Sequence, residues 1–245
     1  MLNKVPQVTL AFWFIKIMAT TVGETGADYL AFNLGLGMIA TTAVMTILLL
    51  CSLWAQIDLK RYIPSFYWVA VVLISIVGTL ITDNLVDTFG VSLVTTTVAF
   101  AGALVATFAL WYRSEKTLSI HTIFTRRREL FYWAAILFTF ALGTAAGDLM
   151  AEHLGWGYGF SAVVFGGAIA AVTACYYLFK MNAVLAFWLA YILTRPFGAS
   201  MGDLLSQPTT NGGLGFGTIS TSMVFLVIII VLIGYMTVSD NQTAK

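Results

Sequence analysis

The chain has 245 residues, of which 60% are hydrophobic and only 9% charged, with a formal net charge of +1. A soluble domain carries about 25% charged residues, and a chain with a mean hydropathy of +0.91 has too little polar surface to stay dispersed in water, so the composition places it in a membrane. The near-neutral charge supplies no basic patch and excludes nucleic acid as a partner.

A helix needs roughly 20 apolar residues to cross the hydrocarbon core, and eight such stretches follow one another. The first covers about residues 7–32; it follows "MLNKVPQ" with no convincing cleavage site, which predicts a retained span rather than a signal peptide. The others lie at about 36–57, 65–87, 91–113, 129–152, 158–179, 184–206 and 216–238. Cys51 and Cys175 sit inside apolar runs, with no CxxC pattern and no neighbouring His, and read as packing residues.

The connections alternate in character. "AQIDLKRYIPS", "YRSEKTLSIHTIFTRRRE" and "KMN" carry charge, as do both termini, whereas those around "NLGLG", "TFGV", "HLGWGYG" and "SQPTTNGGLG" contain no Lys or Arg. Ten of the 12 basic residues fall on one side: Lys4, Lys60, Arg61, Arg113, Lys116, Arg126, Arg127, Arg128, Lys180 and Lys245. The positive-inside rule makes that side cytoplasmic, with both termini inside. Only Lys16 and Arg195 remain within spans.

The odd-numbered spans share a frame. "AFWFIKI", "FYWVAVV", "FYWAAIL" and "AFWLAYI" align on Trp13, Trp68, Trp133 and Trp188, each preceded by an aromatic residue. Ten residues on stand Gly23, Gly78, Gly143 and Gly198; five further on stand Asp28, Asp83, Asp148 and Asp203. The units are 55, 65 and 55 residues apart. An offset of 120 pairs unit one with three and two with four, dividing the chain into halves 1–120 and 121–245. Each unit contains two spans, so all four enter the membrane in the same direction as parallel repeats. The predicted fold is an all-α polytopic membrane protein, four two-helix hairpins in pseudo-fourfold or double two-fold arrangement.

On these tryptophans the chain resembles a family of bacterial membrane proteins described as four tandem repeats of unknown function, each of two transmembrane segments with a characteristic tryptophan. The resemblance covers nearly the whole chain and implies a bacterial inner-membrane protein. It supplies no substrate.

The glycines begin small-xxx-small patterns, full GxxxG at Gly143–Gly147 and Gly198–Gly202, which let helix backbones approach closely. The odd spans are therefore expected inside and the even spans outside. The tryptophans are expected in the aromatic belt at the cytoplasmic interface. Each aspartate lies about 22 Å along the helix from its tryptophan, at ~1.5 Å per residue, which puts all four at one depth toward the outer mouth. Glu24 lies four before Asp28, Asp87 four after Asp83 and Glu152 four after Asp148, spacings that place each pair on one helix face; Gln207 takes that place in the fourth unit. Acids this close cannot all ionise cheaply unless a cation joins them. Two readings stand for the repeated aspartates: cation binding with proton exchange, or hydrogen bonds that lock each repeat in place.

Lys16, Thr20, Glu24 and Asp28 form one i, i+4 ladder, and Lys16 is expected to reach the cytoplasmic surface by snorkelling. Arg195 precedes Pro196 and is expected to pair with one of the acids, beside a kink or break that frees the carbonyl of Ile192. Lys16 and Arg195 are thus the candidate gating or charge-pairing residues. Asp148 and Glu152, next to His153, are a candidate metal pair; oxygen ligands without a His or Cys cluster suit magnesium, manganese or calcium. The sequence contains no P-loop, GxSxG or HExxH, so neither ATP-driven pumping nor hydrolase chemistry is expected, and no cofactor is called for.

The expectation is a secondary transporter or permease for an inorganic cation, a divalent metal included, with protons exchanging on Glu24, Asp28, Asp83, Asp87, Asp148, Glu152 and Asp203. The alternatives are a cation channel, or a membrane scaffold or pigment- or quinone-binding protein lined by the 7 Trp, 10 Tyr and 18 Phe. Lipid is the expected surroundings, and an oligomer is left open.

Overall fold

The computed structural model of the protein describes residues 3–243, all of it helix and connecting loop; Lys245, assigned above to the basic face, lies outside them. Eight long helices follow one another: α1 (Leu10–Asp28), α2 (Met38–Asp58), α3 (Pro64–Asp83), α4 (Leu93–Glu115), α5 (Arg126–Asp148), α6 (Tyr158–Phe179), α7 (Ala183–Ser206) and α8 (Thr218–Thr243). Among the described residues, seven are long and apolar enough to span a bilayer, and α1 alone falls short, because it carries Lys16, Glu24 and Asp28. Helix is the form a single segment takes in lipid, since it satisfies every backbone group internally.

The inner helices form a closed ring in which α1 packs on α3, α3 on α5, α5 on α7 and α7 on α1. This gives α1 protein neighbours for its charged side chains. In α3, α5 and α7, 61% of the most apolar stretch is buried, against 11–17% in α2, α4, α6 and α8, which therefore form the outer layer. Outer side chains such as Ile47, Leu50, Val98, Val105, Val163 and Ile230 face outward and make the lipid contact of a multi-pass membrane protein.

The hairpin arrangement needs correction. Each outer helix packs mainly on the inner helix of the next repeat: α2 on α3, α4 on α5, α6 on α7, and α8 back on α1. Short connections at the basic end, residues 59–63 and 180–182, hold α2 against α3 and α6 against α7 as antiparallel neighbours. The longer basic-end connection, residues 116–125, joins α4 and α5 in the same way, while those at the other end, residues 29–37, 84–92, 149–157 and 207–217, carry the chain across the seam.

The repeated glycines set the ring's spacing. A methyl group added at Gly23 would overlap Ser75, one at Gly78 would overlap Phe140, one at Gly143 Arg195, and one at Gly198 Thr20. Those four residues occupy one position, seven after each tryptophan, so every inner helix offers its glycine to the same residue of the next. The seam is reinforced where Thr82 Oγ1 donates to the Ala141 carbonyl (3.0 Å) and Thr21 Oγ1 to the Gly198 carbonyl (3.0 Å).

The tryptophans also need correction. Trp68, Trp133 and Trp188 are only 1–4% exposed, so they lie inside the bundle rather than in a lipid-facing belt. The aromatic residue before each tryptophan explains this. Phe12 packs on Trp68, Tyr67 on Trp133, Tyr132 on Trp188 and Phe187 on Trp13, with ring centroids 5.5–6.2 Å apart. The result is a cyclic aromatic floor across the basic half of the bundle. Inside it the buried hydroxyls of Tyr67 and Tyr132 meet at 2.5 Å. Tyr67→Phe is expected to cost about 1–2 kcal/mol by orphaning Tyr132, and the double change with Tyr132→Phe to recover part of it. Melting of the purified protein in detergent reads both; equal destabilisation by single and double variants would refute the pairing.

At the basic end, Lys4 is buried rather than free in solvent. Its Nζ lies 2.7 Å from Glu129 Oε2 and donates to the Ile57 carbonyl at 2.7 Å, while its backbone N–H donates to the Ile123 carbonyl at 3.3 Å. This straps the N-terminal segment across the loop that contains the ten extra residues.

Candidate functional site

The chamber is built from one stripe of side chains per inner helix, read at four-residue intervals. At the mouth are Phe32, Asp87, Glu152 and Gln207; one turn deeper are Asp28, Asp83, Asp148 and Asp203. Below them come Glu24, Thr79, Thr144 and Ala199, then Thr20, Ser75, Phe140 and Arg195. A cavity of about 120 Å³ is lined by all seven acids expected from the sequence, together with Phe32, Val86, Leu93 and Gln207. Glu24 and Asp203 are buried, Asp28, Asp83 and Asp148 half-buried, and Asp87 and Glu152 exposed at the rim.

Directly after Asp28, Asp83 and Asp148 the helix widens by one residue per turn, over Tyr29–Asn33, Asn84–Thr88 and Leu149–His153. Such wide turns are rare and are frequent at functional sites. They shift the rim residues relative to the aspartates, so Glu152 turns to accept a hydrogen bond from the Tyr158 hydroxyl at 3.1 Å. Asp148 instead joins Glu24 and Asp203, with one carboxylate oxygen of each lying within 4.8 Å of the others. The fourth repeat lacks the wide turn: α7 ends at Ser206 and the chain leaves through Gln207 and Pro208.

Arg195 closes the chamber from below and is fully buried. Its Nη1 lies 2.9 Å from Glu24 Oε2, an ion pair by distance in which the N–H is not aligned for a hydrogen bond. Its Nη2 donates to the hydroxyls of Thr79 and, at 2.6 Å, Thr144. The expected pairing with an acid is therefore present. The expected break is not: α7 runs as one helix through Pro196, and the packing of Arg195 and Pro196 against Gly143 holds it in place.

Lys16 does not snorkel. It is fully buried, with Nζ 4.5 Å from the Phe140 ring centroid and 4.4 Å from that of Tyr191, and it donates to Thr20 Oγ1 at 3.3 Å. Two aromatic faces offer a desolvated ammonium a favourable quadrupole, and the aromatic floor beneath blocks its route to the surface.

The sequence reading missed Thr79 and Thr144 as partners of Arg195. The signal was present: the Lys16–Thr20–Glu24–Asp28 ladder, carried into the other three repeats, reaches both residues.

The ring, its handed-over outer helices and the polar stripe define a four-repeat polytopic membrane protein with an acidic chamber open at one end. A sequence family described as Repeat of Unknown Function (DUF347) matches residues 11–62, 66–117, 131–182 and 186–242, and the chain belongs to it. These matches begin two residues before each of the four tryptophans. No curated protein and no solved structure matches the chain.

Proposed function

We propose that the protein is a secondary transporter for an inorganic cation, with the carboxylates of the chamber exchanging protons for the substrate. The observation that carries this reading is the convergence of seven acids from four repeats on one small cavity, against a single arginine at its floor. Intramembrane ionisable residues grouped in this way are the usual mark of an ion or proton path. The aromatic floor favours a carrier over a channel, because it closes the axis beneath a chamber open at the other end. With the basic loops on the cytoplasmic side, the chamber opens outward and the membrane is the bacterial inner membrane. Every expected site residue except Lys16 and Arg195 is assigned to ion or proton binding; those two are assigned to charge pairing.

The test is a panel of Mg²⁺, Mn²⁺, Ca²⁺, Zn²⁺ and monovalent cations in proteoliposomes, with pH recorded on both sides. One cation is expected to drive flux accompanied by opposite proton movement. No flux for any member of the panel, with folded protein, would sink the proposal.

A second reading, a binder of a hydrophobic ligand, is favoured by an apolar cavity of about 430 Å³ at the basic end. It is lined by Trp13, Phe187, Tyr176, Tyr177 and His121 among others. Organic extraction of the purified protein would then release a quinone or pigment at near-stoichiometric yield.

A further inference from the structure

We propose that Arg195 is a tethered counter-ion, seated on Glu24, and that a hard divalent cation binds by displacing it. The inference deepens the transport reading above and rests on it.

The repeat makes the pair conspicuous. Seven residues after the tryptophan, the first three units carry Thr20, Ser75 and Phe140, and the fourth carries Arg195. Eleven residues after it, the last three carry Thr79, Thr144 and Ala199, and the first carries Glu24. The one base and the one acid of these two layers meet across the α7–α1 seam. Two symmetry breaks that find each other have a shared purpose that the repeat itself does not require.

The guanidinium is held without being saturated. Its stem fills the notch left by Gly143, and Nη2 is bound by Thr79 and Thr144. Among the described residues, Nε, though fully buried, has no hydrogen-bond partner. Glu24 faces two ways: one oxygen lies against Arg195, and the carboxylate is also within reach of Asp148 and Asp203. A cation among those three carboxylates competes with the guanidinium for Glu24. A monovalent ion merely exchanges one positive charge for another, whereas a divalent ion adds net attraction and takes several oxygen ligands at once. Once displaced, Arg195 retains the two threonine hydroxyls and the Phe140 ring, whose centroid is 5.4 Å from its Cζ. It therefore has a resting place and can return, expelling the ion.

The test is a titration of purified protein in detergent with Mn²⁺ alone, reading free Mn²⁺ by electron paramagnetic resonance, with Mg²⁺ and Ca²⁺ added as competitors. Removing the tethered competitor in Arg195→Gln is expected to tighten Mn²⁺ binding about tenfold, within the usual range of a coupling between sites, while Mn²⁺ flux in vesicles falls because release is impaired. Thr144→Val keeps shape and loosens the guanidinium, and is expected to tighten binding by a smaller factor; it decides the matter if Arg195→Gln does not fold. Glu24→Gln is expected to weaken binding. A purely structural arginine predicts unchanged or weaker binding in every folded variant, which would overturn the proposal and leave the transport reading standing. Wild-type protein that binds none of the three ions would also overturn the displacement of Arg195 by a hard divalent cation, whereas the transport reading falls only if the full cation panel in vesicles shows no flux.

Discussion

Gly143→Ala is expected to remove most of the folded protein, while Gly147→Ala, one turn away on the same helix, is expected to be nearly silent. A methyl group at Gly143 would lie 2.5 Å from Arg195 Cβ and 3.1 Å from Pro196 Cδ, atoms tied to the α7 backbone that cannot swing aside. Overpacking of this kind costs about 1–3 kcal/mol and sometimes more, and here it also pushes apart the seam that carries the Arg195–Glu24 pair. At Gly147 the nearest atoms, Ala199 Cβ and Pro196 Cα and Cβ, are 3.8 Å away, an ordinary contact. Monodisperse yield and melting temperature in detergent compare the two. Equal behaviour would mean that the close approach of α5 and α7 is not what holds the ring.

Asp148→Asn is expected to lower cation affinity and flux by about ten- to a hundredfold with folded yield preserved. A contact to a charged group contributes about 1.5–3 kcal/mol, and each 1.4 kcal/mol is about tenfold in affinity. Asparagine keeps the shape and loses the charge at the point where Asp148 meets Glu24 and Asp203. Asp87→Asn, exposed at the rim, is expected to have a much smaller effect. Dose–flux curves in proteoliposomes separate them. If Asp148→Asn instead unfolds the protein and leaves residual flux per folded molecule unchanged, the aspartate serves the repeat's architecture rather than the substrate.

The four W-x9-G-x4-D frames made the ring legible in the sequence, because a glycine every repeat demands a neighbour at close range and a residue at a fixed offset to fill it. The depth of the aspartates followed from helix rise alone. What the frames did not reveal was the partner of each outer helix, since α2 and α3 belong to different repeats and the frame does not say at which end of the bundle the chain crosses to its neighbour. Trp68, Trp133 and Trp188 were misplaced because a lipid-facing belt and an internal aromatic layer have the same periodicity; the aromatic residue at the preceding position distinguishes them, by supplying each ring with a partner in the adjoining repeat. Lys16 was misread for the same reason, since snorkelling assumes an open path and the aromatic layer closes it. The widened turns had no signal in residue type that separates them from an ordinary helix end.

The handing-on of each outer helix to the following repeat sets an order on biosynthesis. The flanks of α1 are covered by α3, α7 and α8, and the last two are made after the other six helices. The least hydrophobic of the eight helices must therefore enter the bilayer ahead of them and wait, with Lys16 and Glu24 unsheltered, until α7 and α8 arrive to close the circle. A nascent chain halted after residue 182 leaves α1 without α7 and α8 beside it, so the synthesis of that pair is what shelters the charges of α1.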